Sequence, residues 1–290
     1  MVEGSNTVKE LLIKNNLELR KSLGQHFLVD PNISRKIIRL SGITPESQIL
    51  EIGPGVGALT AMLCQTAKSV VAIELDSRML PVLRDVLEPY DNVTVIHGDV
   101  LKLDIKVIVN EYFAGISCSV CANLPYNITT PALEVLFEAG VFDNITVMIQ
   151  REVARRITAK PGTTDYGAFT VYANYHSTPE ILFDVPPECF NPRPKVFSSV
   201  INMNIREKKL LIPDEEKLLF RIVRAAFGQR RKTLVNALYT VFNDLFEKKD
   251  IEKIVVNCGF NPKVRGEMLS LDEFIVLTSN FLKHFVTFCR

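Results

Sequence analysis

The stretch Leu50–Thr60 reads LEIGPGVGALT, and the rest of the chain is organised around it. The apolar residues Ile49, Leu50 and Ile52 predict a buried strand that feeds straight into Gly53, Gly55 and Gly57, then into a helix opening with Ala58, Leu59 and Thr60. Glycine has no Cβ, so it permits positive φ and lets a ligand approach the N–H groups of a helix N-terminus. A nucleotide-like cofactor is the occupant such a loop predicts. Spacing alone does not say which one, because Gly53-x-Gly55-x-x-Ala58 also satisfies the fingerprint that cradles a dinucleotide pyrophosphate.

The segments that follow narrow the choice. Ser69–Leu75 (SVVAIEL) predicts a second strand ending on Glu74, about the distance downstream at which a carboxylate accepts ribose hydroxyls. Val93–His97 (VTVIH) predicts a third, which ends at Gly98 and Asp99. An acid before the glycines (Glu51), one on the second strand and one after the third suit a cofactor with an amino group, a ribose and an adenine amine. That describes S-adenosylmethionine better than NAD. Strands expected over 49–52, 70–75, 93–97, 118–122 and 145–150 alternate with helices near 58–67, 77–88, 130–138 and 151–159, the mark of a doubly wound α/β sheet.

The fourth strand runs into Asn123-Leu124-Pro125-Tyr126. Ligands of open α/β sheets bind beyond the carboxyl ends of the strands, so this tetrapeptide is expected beside the glycine loop and Asp99. An Asn amide oxygen accepts from an exocyclic amine, a proline turn presents a neighbouring carbonyl as a second acceptor, and a Tyr ring offers a face to a base. Together they fit an adenine N6 amine. The alternative reading is a turn with a packed Tyr.

At 290 residues and 47 % hydrophobic residues the chain allows one large or two modest domains with an ordinary core. No run of about 18 uncharged apolar residues occurs, and the opening MVEGSNTVKELL lacks the basic-then-apolar order of a signal peptide, so a soluble, cytoplasmic protein with no membrane partner is expected. Six cysteines in apolar contexts are read as reduced thiols; Cys118-x-x-Cys121 lacks a second pair and would point to opposite faces of a strand, so no metal site is assigned.

The net charge of +1 argues against a strongly basic nucleic-acid binder. It conceals an asymmetry, since Ile205–Arg290 hold 16 Lys and Arg against 11 Asp and Glu, a balance of +5, which leaves −4 for residues 1–204. Within Leu218–Asn243 stand Arg221, Arg224, Arg230, Arg231 and Lys232 with no acid, either a phosphate footprint or a solvated helix face.

Elsewhere, Val8, Leu11 and Leu12 predict a short helix over Thr7–Asn15, Lys21–Leu28 (KSLGQHFL) reads as a loop, and a helix follows from Asp30-Pro31. Arg151, Arg155, Arg156 and Lys160 precede the loop Pro161–Gly167, and a strand through Ile181–Val185 leads to Phe190–Val196 (FNPRPKV). Phe197–Ile205 alternates and is expected as the antiparallel edge hairpin. Composition turns charged at Glu207–Leu211, where the boundary falls: a catalytic domain over 1–206 and an all-helical domain over 207–290, with apolar repeats near 217–227, 233–246, 250–257 and 271–287.

These segments resemble a known family. KSLGQHFL, Glu51–Gly57 (EIGPGVG), Glu74, Gly98-Asp99, NLPY at 123–126, FNPRPKV at 190–196 and Ala226–Leu238 (AFGQRRKTLVNAL) follow one another in the order seen in the small-subunit ribosomal RNA adenine N6,N6-dimethyltransferases. The resemblance covers nearly the whole chain, and the last three segments are its specific part. It implies an α/β, Rossmann-like Class I methyltransferase domain with a smaller helical C-terminal domain that recognises rRNA. The implied activity moves four methyl groups from S-adenosylmethionine to two adjacent adenosines in the 3′-terminal stem-loop of 16S rRNA in the small ribosomal subunit, with the enzyme acting as a monomer.

The resemblance places His26 and Leu28 at the methionine end, Gly53 and Gly55 on the cofactor backbone, Glu74 on the ribose, Asp99 on the adenine amine and Asn123 on both cofactor and target. Asn123 with the Leu124 or Pro125 carbonyl would accept the amine hydrogens, while Tyr126 and Phe190 sandwich the adenine. Two residues depart from the family pattern: His26 stands where Asn is commoner and Phe197 where Asp often follows PKV. Rival readings are the related 23S rRNA methyltransferases of macrolide resistance, a DNA or protein-glutamine methyltransferase, and a binding checkpoint in ribosome assembly.

Overall fold

A computed structural model of the chain describes residues 26–114 and 118–288, with side chains to His284, together with Glu10, Leu11, Ile13 and Lys14. The rest of the helix expected over Thr7–Asn15, and residues 21–25 of KSLGQHFL, lie outside the described residues. The chain divides into two compact units, residues 1–154 with 179–205 and residues 155–178 with 206–290.

In the first unit, β1 (Phe27–Leu28) pairs antiparallel with β8 (Phe190–Asn191). The main sheet comprises β2 (Gln48–Ile52), β3 (Ser69–Glu74), β4 (Val93–His97), β5 (Cys118–Asn123), β6 (Phe142–Gln150), β7 (Ser177–Val185) and β9 (Ser198–Ile205). Its strand order is β4-β3-β2-β5-β6-β9-β7. β2 to β6 run parallel and β9 runs antiparallel to β6. All five residues of β2 are buried, as an interior strand covered on both faces requires. On β4, at the edge, none is. The antiparallel strand expected over Phe197–Ile205 is β9, but β7 takes the edge.

Helices α1 (Pro31–Leu40), α2 (Ala58–Thr66), α3 (Leu80–Leu87), α4 (Ile105–Phe113), α5 (Thr129–Ala139) and α6 (Arg151–Ile157) alternate with these strands. α1 starts where Asp30 caps the Asn32 N–H with Pro31 just inside. The expected helix near 77–88 begins as a 3-10 turn, Ser77–Met79, capped by Asp76. No helix is expected from the sequence over 105–113. IKVIVNEYF is rich in β-branched residues, yet Asp104 caps two N–H groups and Ile105, Ile108, Val109 and Phe113 recur at helical spacing on the buried side.

The second unit corrects the expected boundary. Its core combines Tyr166, Val171 and Tyr175 with Leu219, Ile222, Leu238, Phe242, Ile254, Phe274 and Phe281, and the Tyr166 hydroxyl donates to the Leu269 carbonyl at 2.7 Å. Residues 155–178 therefore cluster with the C-terminal helices, although Ser177 and Thr178 begin β7. Around that core lie α7 (Ala168–His176), α8 (Pro213–Gly228), α9 (Leu234–Phe242), α10 (Lys248–Asn257) and α11 (Leu271–Phe288). Among the described residues no helix is long and apolar enough to cross a membrane.

Candidate active site

Strand order reverses between β2 and β5, which are direct neighbours, so the loops leaving them flank the point where open α/β sheets bind ligands. Those loops are the glycine loop and Asn123–Tyr126. Gly53 and Gly55 both adopt positive φ, +67° and +58°. A Cβ on Gly53 would lie 3.4 Å from the Pro125 ring, and one on Gly55 only 2.7 Å from the ring of Phe27. At Gly55 only a hydrogen fits. The loop delivers the chain to α2, whose N-terminus carries no side-chain cap.

Glu74, at the end of β3, anchors this loop. Its buried carboxylate accepts the Gly55 N–H at 3.1 Å through Oε2 and the Asp76 N–H at 2.7 Å through Oε1. Burial pushes the carboxyl above its ordinary value, while those backbone donors pull it back. A cleft of about 90 Å³ opens here, and of the expected residues His26, Gly53, Gly55, Glu74, Asn123 and Pro125 line it. Phe27, Leu75, Asn127 and Ile128 complete its wall.

A chain of hydrogen bonds and ring contacts links Asn123, His26 and Tyr126. The Asn123 amide nitrogen donates to the His26 carbonyl at 3.2 Å, so its oxygen is left as the acceptor. His26 Nδ1 donates to the Pro192 carbonyl at 2.7 Å, and its ring lies 5.4 Å from that of Tyr126, tilted by 30°. The Tyr126 hydroxyl shares a 2.7 Å hydrogen bond with Ser198 Oγ. His26 is thus built into the Tyr126 wall rather than standing free. The Pro125 carbonyl already accepts from the Ile128 N–H and the Thr129 hydroxyl, each at 3.2 Å.

Several of the expected residues do not line this cleft. Leu28 and Phe190 face each other in the β1–β8 register and are buried in one hydrophobic cluster, so neither presents its side chain to the cleft. Strand alternation sends their neighbour Phe27 to the ligand side, a signal already present in the dipeptide. Leu124 is also buried by its side chain. Asp99 does not line the cleft; its Oδ1 accepts the Leu101 N–H at 3.1 Å and it pairs with Lys102 at 3.5 Å. It still stands beside Glu74, because the Gly98 N–H bonds the Glu74 carbonyl. Burial pushes the Cys118 thiol up to about 12 and raises Cys121 as well, so both stay protonated.

A family model described as ribosomal RNA adenine dimethylase matches residues 16–276. Ribosomal RNA small subunit methyltransferase A of Geobacillus thermodenitrificans is 45 % identical over 280 residues, 96 % of each chain. The enzyme of the same name from Bacillus cereus (strain B4264) is 43 % identical over 282 residues, 96 % of this chain and 97 % of its own. The crystal structure of a dimethyladenosine transferase from Plasmodium falciparum is similar with a TM-score of 0.77 and 27 % identity, over 89 % of this chain and 98 % of that one. The chain belongs to the ribosomal RNA adenine dimethylases. It is an S-adenosylmethionine-dependent rRNA methyltransferase, which resolves the ambiguity of the glycine fingerprint. A 23S rRNA methyltransferase, ErmE, shares the fold at a TM-score of 0.67 and 23 % identity.

The cleft of this dimethylase fits that cofactor. A loop that a single Cβ would block, bare helix N–H groups and a carboxylate at the ribose position suit an adenosyl group. Beneath them Glu51 is 1 % exposed, not part of the cleft wall, and its Oε2 has no hydrogen-bond partner among the described residues. Burial pushes its carboxyl up to about 8. The native state therefore holds a proton that an unfolded chain releases near pH ~4.3, and stability falls as pH rises from there to about 8. Glu51→Gln is expected to raise the unfolding midpoint of the unliganded protein at pH 8 and to leave it unchanged near pH 4. A difference constant across that range contradicts a neutral carboxyl.

In the helical unit the dimethylase's basic residues divide. Arg230 is a strut: its Nε donates to Glu267 at 3.0 Å and both terminal nitrogens donate to the Thr164 carbonyl at 3.3 Å. In the stretch read from the sequence as either a phosphate footprint or a solvated face, its guanidinium is tied to Glu267 and Thr164. Arg231 and Lys232 are exposed and have no side-chain partner among the described residues.

Proposed function

We propose that this dimethylase methylates N6 of two adjacent adenosines in the 3′-terminal stem-loop of 16S rRNA within the small ribosomal subunit, twice each, in the cytoplasm. The observation that carries the chemical assignment is the Asn123 amide, whose nitrogen is held by the His26 carbonyl so that its oxygen and the Leu124 carbonyl form the acceptor pair. The names of relatives over 40 % identical along nearly the full chain support the substrate.

S-adenosylmethionine supplies an electrophilic methyl group on a sulfonium. Glu74, with the Gly53 and Gly55 backbone, holds it, and Asp99 stands at the strand end expected for the adenine amine. The target amine is a poor nucleophile because its lone pair is delocalised into the ring, and it becomes acidic only as it pyramidalises. Asn123 and Leu124 hold it in line and accept hydrogen bonds from its N–H groups while the N–CH3 bond forms and the S–CH3 bond breaks; the thioether leaves and the proton of the resulting cation passes to water, so no strong base is required. The target leaves its stack, and Tyr126, braced by Ser198 and His26, supplies the ring on which it rests.

Transfer of tritiated methyl groups to undermethylated small subunits, large subunits and naked DNA tests this reading. Incorporation confined to small subunits is expected; preferential labelling of large subunits overturns it. The basic residues separate in the same assay. Arg231→Ala with Lys232→Ala is expected to weaken subunit binding and to lower the salt slope by about one for each phosphate no longer engaged. Arg230→Ala is expected to lower the thermal midpoint instead, because it removes the tie to Glu267 and Thr164.

A further inference from the structure

Among the described residues, cations lie over three aromatic rings: Lys36 over Phe183, Arg151 over Phe197 and Arg221 over Phe242. Phe242 is fully buried and Phe183 is half-buried against a core cluster, so those two pairs belong to the packing of the protein. Phe197 is different. It remains 39 % exposed with the Arg151 guanidinium 4.4 Å from its ring centroid.

Its position ties it to the methyl-transfer site. Gln150 ends β6 opposite Ser198, the first residue of β9, and the Arg151 N–H donates to the Phe197 carbonyl at 2.9 Å. Phe197 therefore stands beyond the carboxyl end of β6. That strand neighbours β5, so Phe197 lies along the same end of the sheet as Asn123 and the cleft. One residue further on, the Ser198 hydroxyl shares its 2.7 Å hydrogen bond with the Tyr126 hydroxyl. An exposed ring is thus set one residue from the support of the ring assigned to the target base.

Charge selects the occupant. Arg151 pairs with Asp184 at 3.8 Å, and Asp184 also accepts from the Ser199 hydroxyl at 2.6 Å, so the guanidinium is held over Phe197 with its charge offset. A phosphate gains little from a cation that a carboxylate already neutralises. A base gains an aromatic ring, a guanidinium plane and, at Asp184, an exposed carboxylate that can accept an N–H. Exposed Arg193 and Lys195, just before Phe197 in the chain, have no side-chain partner among the described residues and remain for the phosphates.

We propose that Phe197 and Arg151 form a platform for the base of the nucleotide adjoining the target adenosine, stacked there while the target rests on Tyr126. The proposal deepens the rRNA reading of this site and rests on it. Two adjacent adenosines stack on each other unless something parts them, and a platform for the neighbour keeps the target from restacking while it is methylated.

The test measures the affinity of the full-length protein for undermethylated small subunits at several salt concentrations, with S-adenosylmethionine affinity and the thermal midpoint alongside. Phe197→Leu removes the ring, Phe197→Tyr keeps it, and Arg151→Gln keeps a planar polar group without the charge. Phe197→Leu is expected to weaken subunit binding roughly tenfold, as loss of one base–aromatic stack does, with salt slope, cofactor affinity and midpoint unchanged. Phe197→Tyr is expected to bind like the wild type. Arg151→Gln is expected to weaken binding by a smaller factor at unchanged slope. A slope lowered by about one in Arg151→Gln would place a phosphate there and overturn the base platform. Wild-type binding by Phe197→Leu, an equal loss in Phe197→Tyr, or a loss that tracks a fallen midpoint would overturn it too. In each of these cases, preference of the unaltered protein for small over large subunits leaves the rRNA reading intact; without that preference the reading itself fails.

Discussion

Asn123→Ala is expected to slow methyl transfer to small subunits by roughly 10²–10³-fold, the loss typical of one preorganised polar group acting in the transition state. The size follows from where Asn123 stands. It ends β5 at the switch point, and its amide nitrogen is committed to the His26 carbonyl, so no rotation of the amide is needed before its oxygen accepts the N6 hydrogens. Subunit affinity is expected to change little. Tyr126→Ala is expected to act differently, weakening capture of the flipped base by an amount on the order of 1–3 kcal/mol. Tyr126→Phe keeps the ring and loses only the hydrogen bond to Ser198, so its effect is small. An Asn123→Ala enzyme that dimethylates at near wild-type rate removes the hydrogen-bond mechanism and leaves Asn123 as a turn residue.

Gly55→Ala is expected to be the most damaging single-methyl change in the cofactor loop. Gly42 provides the control, since it too has positive φ, +73°, but a Cβ there meets nothing within 4 Å. Gly42→Ala therefore reports the conformational cost alone, on the order of 1 kcal/mol. At Gly55 the same cost is joined by a Cβ placed 2.7 Å from the Phe27 ring, which is 6 % exposed and packed with Val56, Met79 and Leu83. Overpacking of this kind adds about 1–3 kcal/mol. Shifting the loop to relieve it breaks the Gly55 N–H bond to Glu74, so S-adenosylmethionine affinity measured by calorimetry should fall together with stability. Equal losses for the two alanine variants contradict the close approach of Phe27.

Much of the catalytic unit was legible because its signals are local. The apolar run into Gly53, the acid on Glu74 and the tetrapeptide after β5 lie at strand ends, and a parallel sheet brings strand ends together whatever the loops between them do. Features set by partners distant in sequence were not legible. Phe190 resembles a stacking aromatic in FNPRPKV, but its pairing opposite Leu28, far away in the chain, turns both into the core. Arg230 looks like its neighbours in QRRK until Glu267 and Thr164 are brought to it. The segment 155–178, with its loop over Pro161–Gly167, falls by sequence within the catalytic domain over 1–206, and only the placement of Tyr166 and Tyr175 assigns it to the helical core. β-Branched residues hid α4, where the Asp104 cap and buried spacing outweigh local propensity.

Mass spectrometry of nucleosides from 16S rRNA of undermethylated small subunits, after incubation with the purified protein and S-adenosylmethionine, decides the assignment of substrate and product together. N6,N6-dimethyladenosine at two adjacent positions near the 3′ end is the expected product. Monomethyladenosine as the sole end product, or methylation elsewhere in the rRNA, would contradict it.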